Sequence, residues 1–335
     1  MPTSNVRWGL VSTANINKNL IPVIRASRRG ELVAVASRNG DKAEAYAKKW
    51  DIPQSFEGYQ TMLDSGEVDA VYVSLPNHLH AEWSIRAMEA GCHVLCEKPF
   101  AITMEQVDEM IRVSEETGCH LAEAFMYRHH PQTKLVGEMV QSGQLGEITL
   151  MRGAFDFNLP QAQRQSDHLN VRLVPEWGGG CLWDVGIYPL SFVQYILGQP
   201  PEIVFGNQWL GDTGVDETFA GQMAYSDGRM AQISASFRTP FHTFIEIIGT
   251  EGRLYIPKPF TGMTRKDKLL LHPEDGKTKK IRPPQKELYL GEVEDMHAAI
   301  LDGKPNLIQL EETRNHVRTT LALYQSAQTG EPVHL

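Results

Sequence analysis

The feature that most constrains the fold is an alternation over the first 125 residues: short apolar runs separated by longer amphipathic stretches. Parallel strands with crossover helices produce this pattern, because a sheet covered on both faces needs strands that are apolar throughout. It predicts strands over 6–11, 31–37, 68–75, 93–96 and 120–124, and helices over 16–27, 41–50, 79–90 and 104–117. Gly91 and Gly118 follow the last two helices, where a left-handed cap releases the chain. A doubly wound α/β half results.

The pattern changes after about residue 130. A helix is expected over 133–141, then Gly178-Gly179-Gly180, then long alternating segments from 203 to 257. Runs at 215–225, 229–237 and 241–248, joined by turns such as Ser226-Asp227-Gly228, predict a large, mostly antiparallel open sheet with a meander. Helices over 291–301 and 311–328 close the chain. With 335 residues, 41% of them hydrophobic, two domains are expected. The boundaries are 1–125 for dinucleotide binding and 126–335 for substrate binding and oligomerisation, with the final helix packing back on the first domain. An open sheet of this size cannot leave a whole face bare, so a homodimer or homotetramer through it is expected.

Charge and punctuation narrow the partners. There are 32 basic and 41 acidic residues, a net charge of -9, which disfavours nucleic acid and anionic membranes. No basic-then-apolar leader and no apolar run near twenty residues is present, so a cytoplasmic location is expected. Cys92, Cys96, Cys119 and Cys181 lack Cys-x-x-Cys spacing and read as buried thiols. His78, His80, His129 and His130 have no cysteine or carboxylate at ligand spacing, so no metal is expected.

The first strand-to-helix turn reads Gly9-Leu10-Val11-Ser12-Thr13-Ala14-Asn15-Ile16. A dinucleotide fold normally places glycines here, and Ser12 and Ala14 are small enough to let helix amides approach a pyrophosphate. A plain turn capped by Thr13 or Asn15 is the alternative. About twenty residues on, Ser37-Arg38 stands where an acid would hold a ribose; a guanidinium suits a 2′-phosphate, so NADP is favoured and NAD remains possible. Arg38 stacked on adenine is compatible with either. Ser74-Leu75-Pro76-Asn77 and His80 follow at the carboxyl edge, where ligands of this fold collect, and Asn77 also suits a helix cap.

Two further motifs carry chemistry. Glu97-Lys98-Pro99 sets a charged amine at the end of a buried strand, and the competing reading is an ion pair that ends it. Asp184 and Tyr188 lie four apart, one face of a helix, although Pro189 disfavours regular geometry there; a capping Asp184 and a core Tyr188 are the alternative. Tyr127, Phe155 and Trp177, with Trp183, are candidate aromatic walls for a polyol. Arg128, Asn158, Asp167, His168 and Arg172 are candidate hydrogen-bonding groups.

The Ser12-Thr13-Ala14 loop, Pro76-Asn77-x-x-His80, Glu97-Lys98-Pro99 and Gly179-Gly180-Cys181-Leu182-Trp183-Asp184-Val185-Gly186-Ile187-Tyr188 together resemble the glucose-fructose oxidoreductase and inositol dehydrogenase family, over nearly the whole chain. Most members carry histidine at the place of Tyr188; the branch of dimeric dihydrodiol dehydrogenases and certain xylose dehydrogenases carries tyrosine. The resemblance implies Lys98 and Tyr188 as catalytic pair, Asp184 as support, and the open sheet as dimer face. The loop lacks the family's later glycines, and Met126 stands where many members have asparagine.

The residue types fit alcohol oxidation. A phenol with a pKa of about 10 is a poor base unless a cation such as Lys98 favours the phenolate. Tyr188 then exchanges the hydroxyl proton, Lys98 binds the substrate oxygen, and Asp184 orients Lys98 or a hydroxyl. The expected function is NAD(P)-dependent hydride transfer to or from a sugar, anhydrosugar, polyol or vicinal diol. A non-catalytic dinucleotide-sensing regulator is the alternative, and a zinc hydrolase stands third.

Overall fold

The computed structural model describes residues 5–164, 170–262, 264 and 266–335. The chain divides into two compact units, Met1–His129 with Glu287–Arg314, and His130–Lys286 with Asn315–Leu335.

The first unit opens with β1 (Val6–Val11), α1 (Asn17–Ala26), β2 (Gly30–Ser37), α2 (Gly40–Trp50), β3 (Gln54–Glu57), α3 (Tyr59–Leu63) and β4 (Ala70–Val73). It continues with α4 (His80–Glu89), β5 (His93–Glu97), α5 (Met104–Thr117), β6 (Leu121–Ala124) and α6 (Met126–His129). The six strands are parallel in the order β3-β2-β1-β4-β5-β6. Ala70 to Val73 and Leu121 to Ala124 are buried throughout, as helix cover on both faces requires. Asn39 and Thr103 cap α2 and α5, and Gly118 ends α5 at φ +70°. Gly91, at φ +83°, follows α4. The edge strand β3 has no apolar run to announce it; its residues alternate between half-buried and exposed.

The second unit holds α7 (Pro131–Gln141), β7 (Ile148–Asn158), α8 (Ile187–Leu197), β8 (Ile203–Leu210), β9 (Asp216–Ala224), β10 (Met230–Ser236), β11 (Arg238–Gly249), β12 (Gly252–Ile256), β13 (Leu269–Pro273) and β14 (Lys279–Ile281). Then come α9 (Leu290–Asp302), α10 (Leu310–Thr329) and β15 (Val333–His334). The nine strands of this unit run β14-β13-β12-β11-β7-β10-β9-β8-β15.

The expected meander is corrected here. β7 lies between β10 and β11, parallel to the former and antiparallel to the latter. The chain passes the end of β7 at Phe237, whose carbonyl accepts from the Leu159 amide at 2.9 Å, and the register of β11 then jumps from Arg238↔Asn158 to His242↔Asp156. Pro240, with no amide hydrogen to pair, falls in that irregular stretch. Across the sheet Met151, Ala231 and Ile247 line up on a buried face, while Arg152, Gln232 and Gln222 form an exposed row on the other.

The chain returns to the first unit through α9, where Val293 and Met296 join a core with Trp8, Leu20 and Ile24. Trp8 Nε1 donates to His297 Nε2 at 2.9 Å, and the other ring nitrogen of His297 faces Ser27 Oγ at 3.2 Å. The start of α10 stays in the first unit, where Arg314 pairs with Asp108 at 2.7 Å. From Asn315 onwards the helix belongs to the second unit, and Gln194 of α8 donates to Thr319 at 2.8 Å.

Candidate active site

Strand order in the first unit reverses between β1 and β4, the place where open α/β sheets bind ligands at the carboxyl ends of their strands. Val11 pairs with both Ala36 and Val73, so Ser12, Ser37 and Ser74 come next on three adjacent strands. Ser12 takes φ +135°, a backbone region that favours glycine. Its hydroxyl is turned into the protein: Ser12 Oγ lies 3.0 Å from Ser74 O and 2.8 Å from Ser74 Oγ, and accepts the Ala14 amide at 3.1 Å. Asn17 closes the network, donating to Ser12 O at 2.9 Å and accepting from Ser74 Oγ at 2.7 Å. Sequence reasoning missed Asn17.

Around that network, Thr13, Ala14 and Ile16 are half-buried and Asn15 is exposed. Gly9 lies inside β1, where an added Cβ would meet Val68 Cγ1 at 2.9 Å and Met62 at 3.1 Å. Ser37 is buried at the end of β2, and Arg38 is exposed beside the Tyr59 hydroxyl. Ser74 and Leu75 are buried, Pro76 and Asn77 half-buried. Asn77 opens a short 3-10 turn, Asn77–Leu79, and α4 begins after it without a side-chain cap.

Lys98 follows β5, half-buried, and its bond to Pro99 is cis. The Glu97 carboxylate accepts from the Tyr72 hydroxyl and from the Lys98 amide, the latter at 3.2 Å. Burial, with the charge of Glu97 nearby, pushes the Glu292 carboxyl of α9 well above the usual carboxylate range. His80, 1% exposed, has Nδ1 2.8 Å from Pro99 O and Nε2 2.7 Å from Leu75 O. A neutral ring donates to only one of these two carbonyls, which lie at the residue after Lys98 and just past the end of β4. Burial lowers its pKa to about 4.

In the second unit, Gly178 and Gly180 take φ +75° and +125°, and a Cβ on Gly180 would lie 1.9 Å from Asp216 Oδ1. The triple glycine is therefore a steric requirement. Behind it, Leu182–Gly186 form a π-helical turn that runs into α8. The Ile187 amide reaches back to Leu182 O, and this widened turn accommodates Pro189 in the helix that follows. Asp184 is half-buried and pairs with Arg172, Nε to Oδ2, at 2.5 Å. The Arg172 amide is itself held by Asn170 Oδ1 at 3.0 Å.

Tyr188, 6% exposed, packs against Phe155 at 5.4 Å and Phe260 at 5.5 Å between ring centroids. Phe155 in turn stacks on Phe260 and meets the exposed Phe241 edge-on. Phe260 and Phe241 were not expected near the tyrosine. Trp177 is 39% exposed in the turn before the glycines. Tyr127 is fully buried in the first unit against Phe125, and Arg128 pairs there with Glu312. Asp167 and His168 lie outside the described residues. Among the described residues, no cluster of three or more His, Cys, Asp or Glu is arranged to hold a metal, and all four cysteines are buried and free.

A doubly wound unit with hydroxyls and cations at its carboxyl edge, followed by a mixed-sheet unit bearing an acid and a phenol one helical turn apart, defines a two-domain nucleotide-dependent oxidoreductase. Comparison with known proteins names the family. Residues 6–125 match the model for an oxidoreductase family with an NAD-binding Rossmann fold, and residues 133–255 match the GFO/IDH/MocA C-terminal domain. The chain is 34% identical over 329 residues to a D-xylose 1-dehydrogenase (NADP(+)) of Haloferax volcanii, covering 98% of this chain and 99% of that one. It is 29% identical to a trans-1,2-dihydrobenzene-1,2-diol dehydrogenase of Xenopus laevis over 75% of each chain. Among solved structures, a 3-ketoreductase from Actinomadura kijaniata in complex with NADP and TDP-benzene superimposes with a TM-score of 0.88 at 28% identity, over 96% of this chain and 98% of that one. The chain belongs to the GFO/IDH/MocA oxidoreductase family. Among the described residues no helix is long and apolar enough to cross a membrane.

Proposed function

We propose that the protein transfers hydride between NADP and a CH-OH or C=O carbon of a sugar, anhydrosugar, polyol or vicinal diol, with Tyr188 as acid/base and Lys98 assisting. The observation that carries this reading is Tyr188 itself: a phenol set among Phe155 and Phe260, one turn beyond an acid whose charge is met by Arg172. Relatives support it. The Haloferax volcanii protein is named for D-xylose and NADP(+), the Xenopus laevis protein for a dihydrodiol. The Actinomadura kijaniata reductase has been crystallised with a lysine replaced by alanine and with a tyrosine replaced by phenylalanine.

The residues at the first carboxyl edge fit the dinucleotide. Ser12 tucks its side chain into the buried network, so a serine with glycine-like backbone leaves the loop slim enough for amides to reach a pyrophosphate. Arg38, exposed beside Ser37, offers a guanidinium to a 2′-phosphate. When bound, the nicotinamide accepts or supplies hydride. Tyr188 takes the hydroxyl proton in oxidation and returns it in reduction, Lys98 stabilises the negative charge that develops on oxygen, and the aromatic wall excludes water. The uncovered face of the nine-stranded sheet, with Met230 and Trp209 exposed, joins a second copy of the chain.

The test is absorbance at the reduced-nicotinamide band with NADP and NAD against aldoses, anhydrosugars, inositols, vicinal diols and dicarbonyls. Turnover with at least one of these, faster with NADP, is expected. NADPH binding without turnover across the panel would replace the enzyme by a dinucleotide sensor.

A further inference from the structure

The helical segment that carries Asp184 and Tyr188 begins at Cys181 without a side-chain cap of its own. The first amides of a helix have no acceptor inside it, and in a buried position they must find one elsewhere. Here the acceptor comes from β9. Leu182 N donates to Asp216 Oδ2 at 2.8 Å, and Cys181 Sγ lies 3.1 Å from the same oxygen. The other oxygen, Asp216 Oδ1, accepts from Tyr324 Oη of α10 at 2.7 Å. The Tyr324 ring packs on Trp183 at 5.7 Å and on Phe219 at 5.6 Å, and the Trp183 amide faces its hydroxyl. Gly180 leaves the space that this carboxylate fills.

We infer that Asp216 and Tyr324 are positioning residues for the acid/base tyrosine, capping from outside the helix the turn from which Asp184 and Tyr188 project. This rests on the proposed role of Tyr188. Asp216 is 2% exposed and meets three donors from two other segments. A negative charge at a helix N-terminus is favoured by the helix dipole, and the carboxylate locks the first turn in one orientation. The bond from Ile187 N back to Leu182 O carries that orientation to the turn holding Tyr188. Misplacing a reacting group by about 1 Å can cost on the order of a hundredfold in rate. Burial raises the Asp216 pKa to about 6, so the cap loses its charge just below neutral pH. The titratable groups that face it are Cys181 and Tyr324, with Asp156 and Asp184 beyond the Cys181 thiol.

Tyr324→Phe removes one hydroxyl and leaves the ring in place; Asp216→Asn removes the charge; Tyr188→Phe is measured beside them. Turnover is normalised to NADPH-binding sites, which discounts unfolded protein. The cap predicts kcat lowered roughly ten- to a hundredfold in Tyr324→Phe and Asp216→Asn, with NADPH affinity within about twofold of wild type. It also predicts that the fall of kcat near pH 6 disappears in Asp216→Asn. Wild-type kcat per binding site in both cap variants, with Tyr188→Phe depleted, overturns the cap alone. Wild-type turnover in Tyr188→Phe overturns the acid/base reading and the cap's role with it.

Discussion

Ser12 Oγ and Ser74 Oγ lie 2.8 Å apart at the reversal point of the parallel sheet, so a hydroxyl pair holds the loop where a glycine would ordinarily relieve the backbone. Ser12→Ala keeps the unfavourable φ and loses the bonds; Ser12→Gly loses the bonds but relieves the strain. Alanine should therefore destabilise by about 1–3 kcal/mol and glycine by less. Urea unfolding of the two variants measures the order, and a glycine variant weaker than alanine would contradict it.

Arg38 is the exposed cation at the end of β2. If Arg38 holds the 2′-phosphate, as proposed, replacing it by alanine should raise KM for NADP roughly ten- to a hundredfold and leave KM for NAD little changed, because only the 2′-phosphate would lose a charge-assisted partner. Equal effects on both cofactors in steady-state kinetics would remove the phosphate role.

Tyr188→Phe keeps the ring among Phe155 and Phe260 and deletes only the hydroxyl. Turnover should fall by roughly two to four decades while NADPH binding persists. Pre-steady-state measurement of the hydride step locates the loss; an unaffected step would assign proton transfer to another group.

Trp8 donates to His297 Nε2, a bond available only to a ring unprotonated at that nitrogen, and burial lowers the His297 pKa to about 4. The folded value lies below the free value of about 6.5, so this stabilisation is complete above it and is lost as pH falls towards 4. Between pH 7 and pH 5 the loss should be about 2 kcal/mol. Denaturation of His297→Gln at the two pH values should show a shallower dependence than wild type, and parallel curves would refute the assignment.

Met230 is 55% exposed on the uncovered face of the nine-stranded sheet. If this face joins a second copy, as proposed, Met230→Glu should give monomer in light scattering, since a buried unpaired carboxylate at such a contact costs several kcal/mol. A variant with unchanged mass would move the contact elsewhere.

Much of the first unit was legible. Runs such as Ala70 to Val73 could be read because burial on both faces leaves no room for polar residues, and Gly118 because a left-handed cap excludes most others. The strand β3 was not, since a half-exposed edge strand carries no such signature. Nor was β7, whose Thr149, Arg152 and Asp156 interrupt the apolar alternation, nor its place between β10 and β11.

The candidate site divides in the same way. The residue types and their local spacing were determined by the sequence alone: a serine where glycine is usual, an arginine just past the second strand, Lys98 at a strand end, Asp184 and Tyr188 one turn apart. Only the tertiary structure decided that Ser12 faces Ser74, that Asp184 meets Arg172, that Phe260 walls Tyr188, and that Asp216 accepts from the Leu182 amide and the Tyr324 hydroxyl. Periodicity encodes which face a residue occupies and how long an element runs. It carries no record of which distant segment packs opposite, because that is selected by the joint packing and hydrogen bonding of the whole unit.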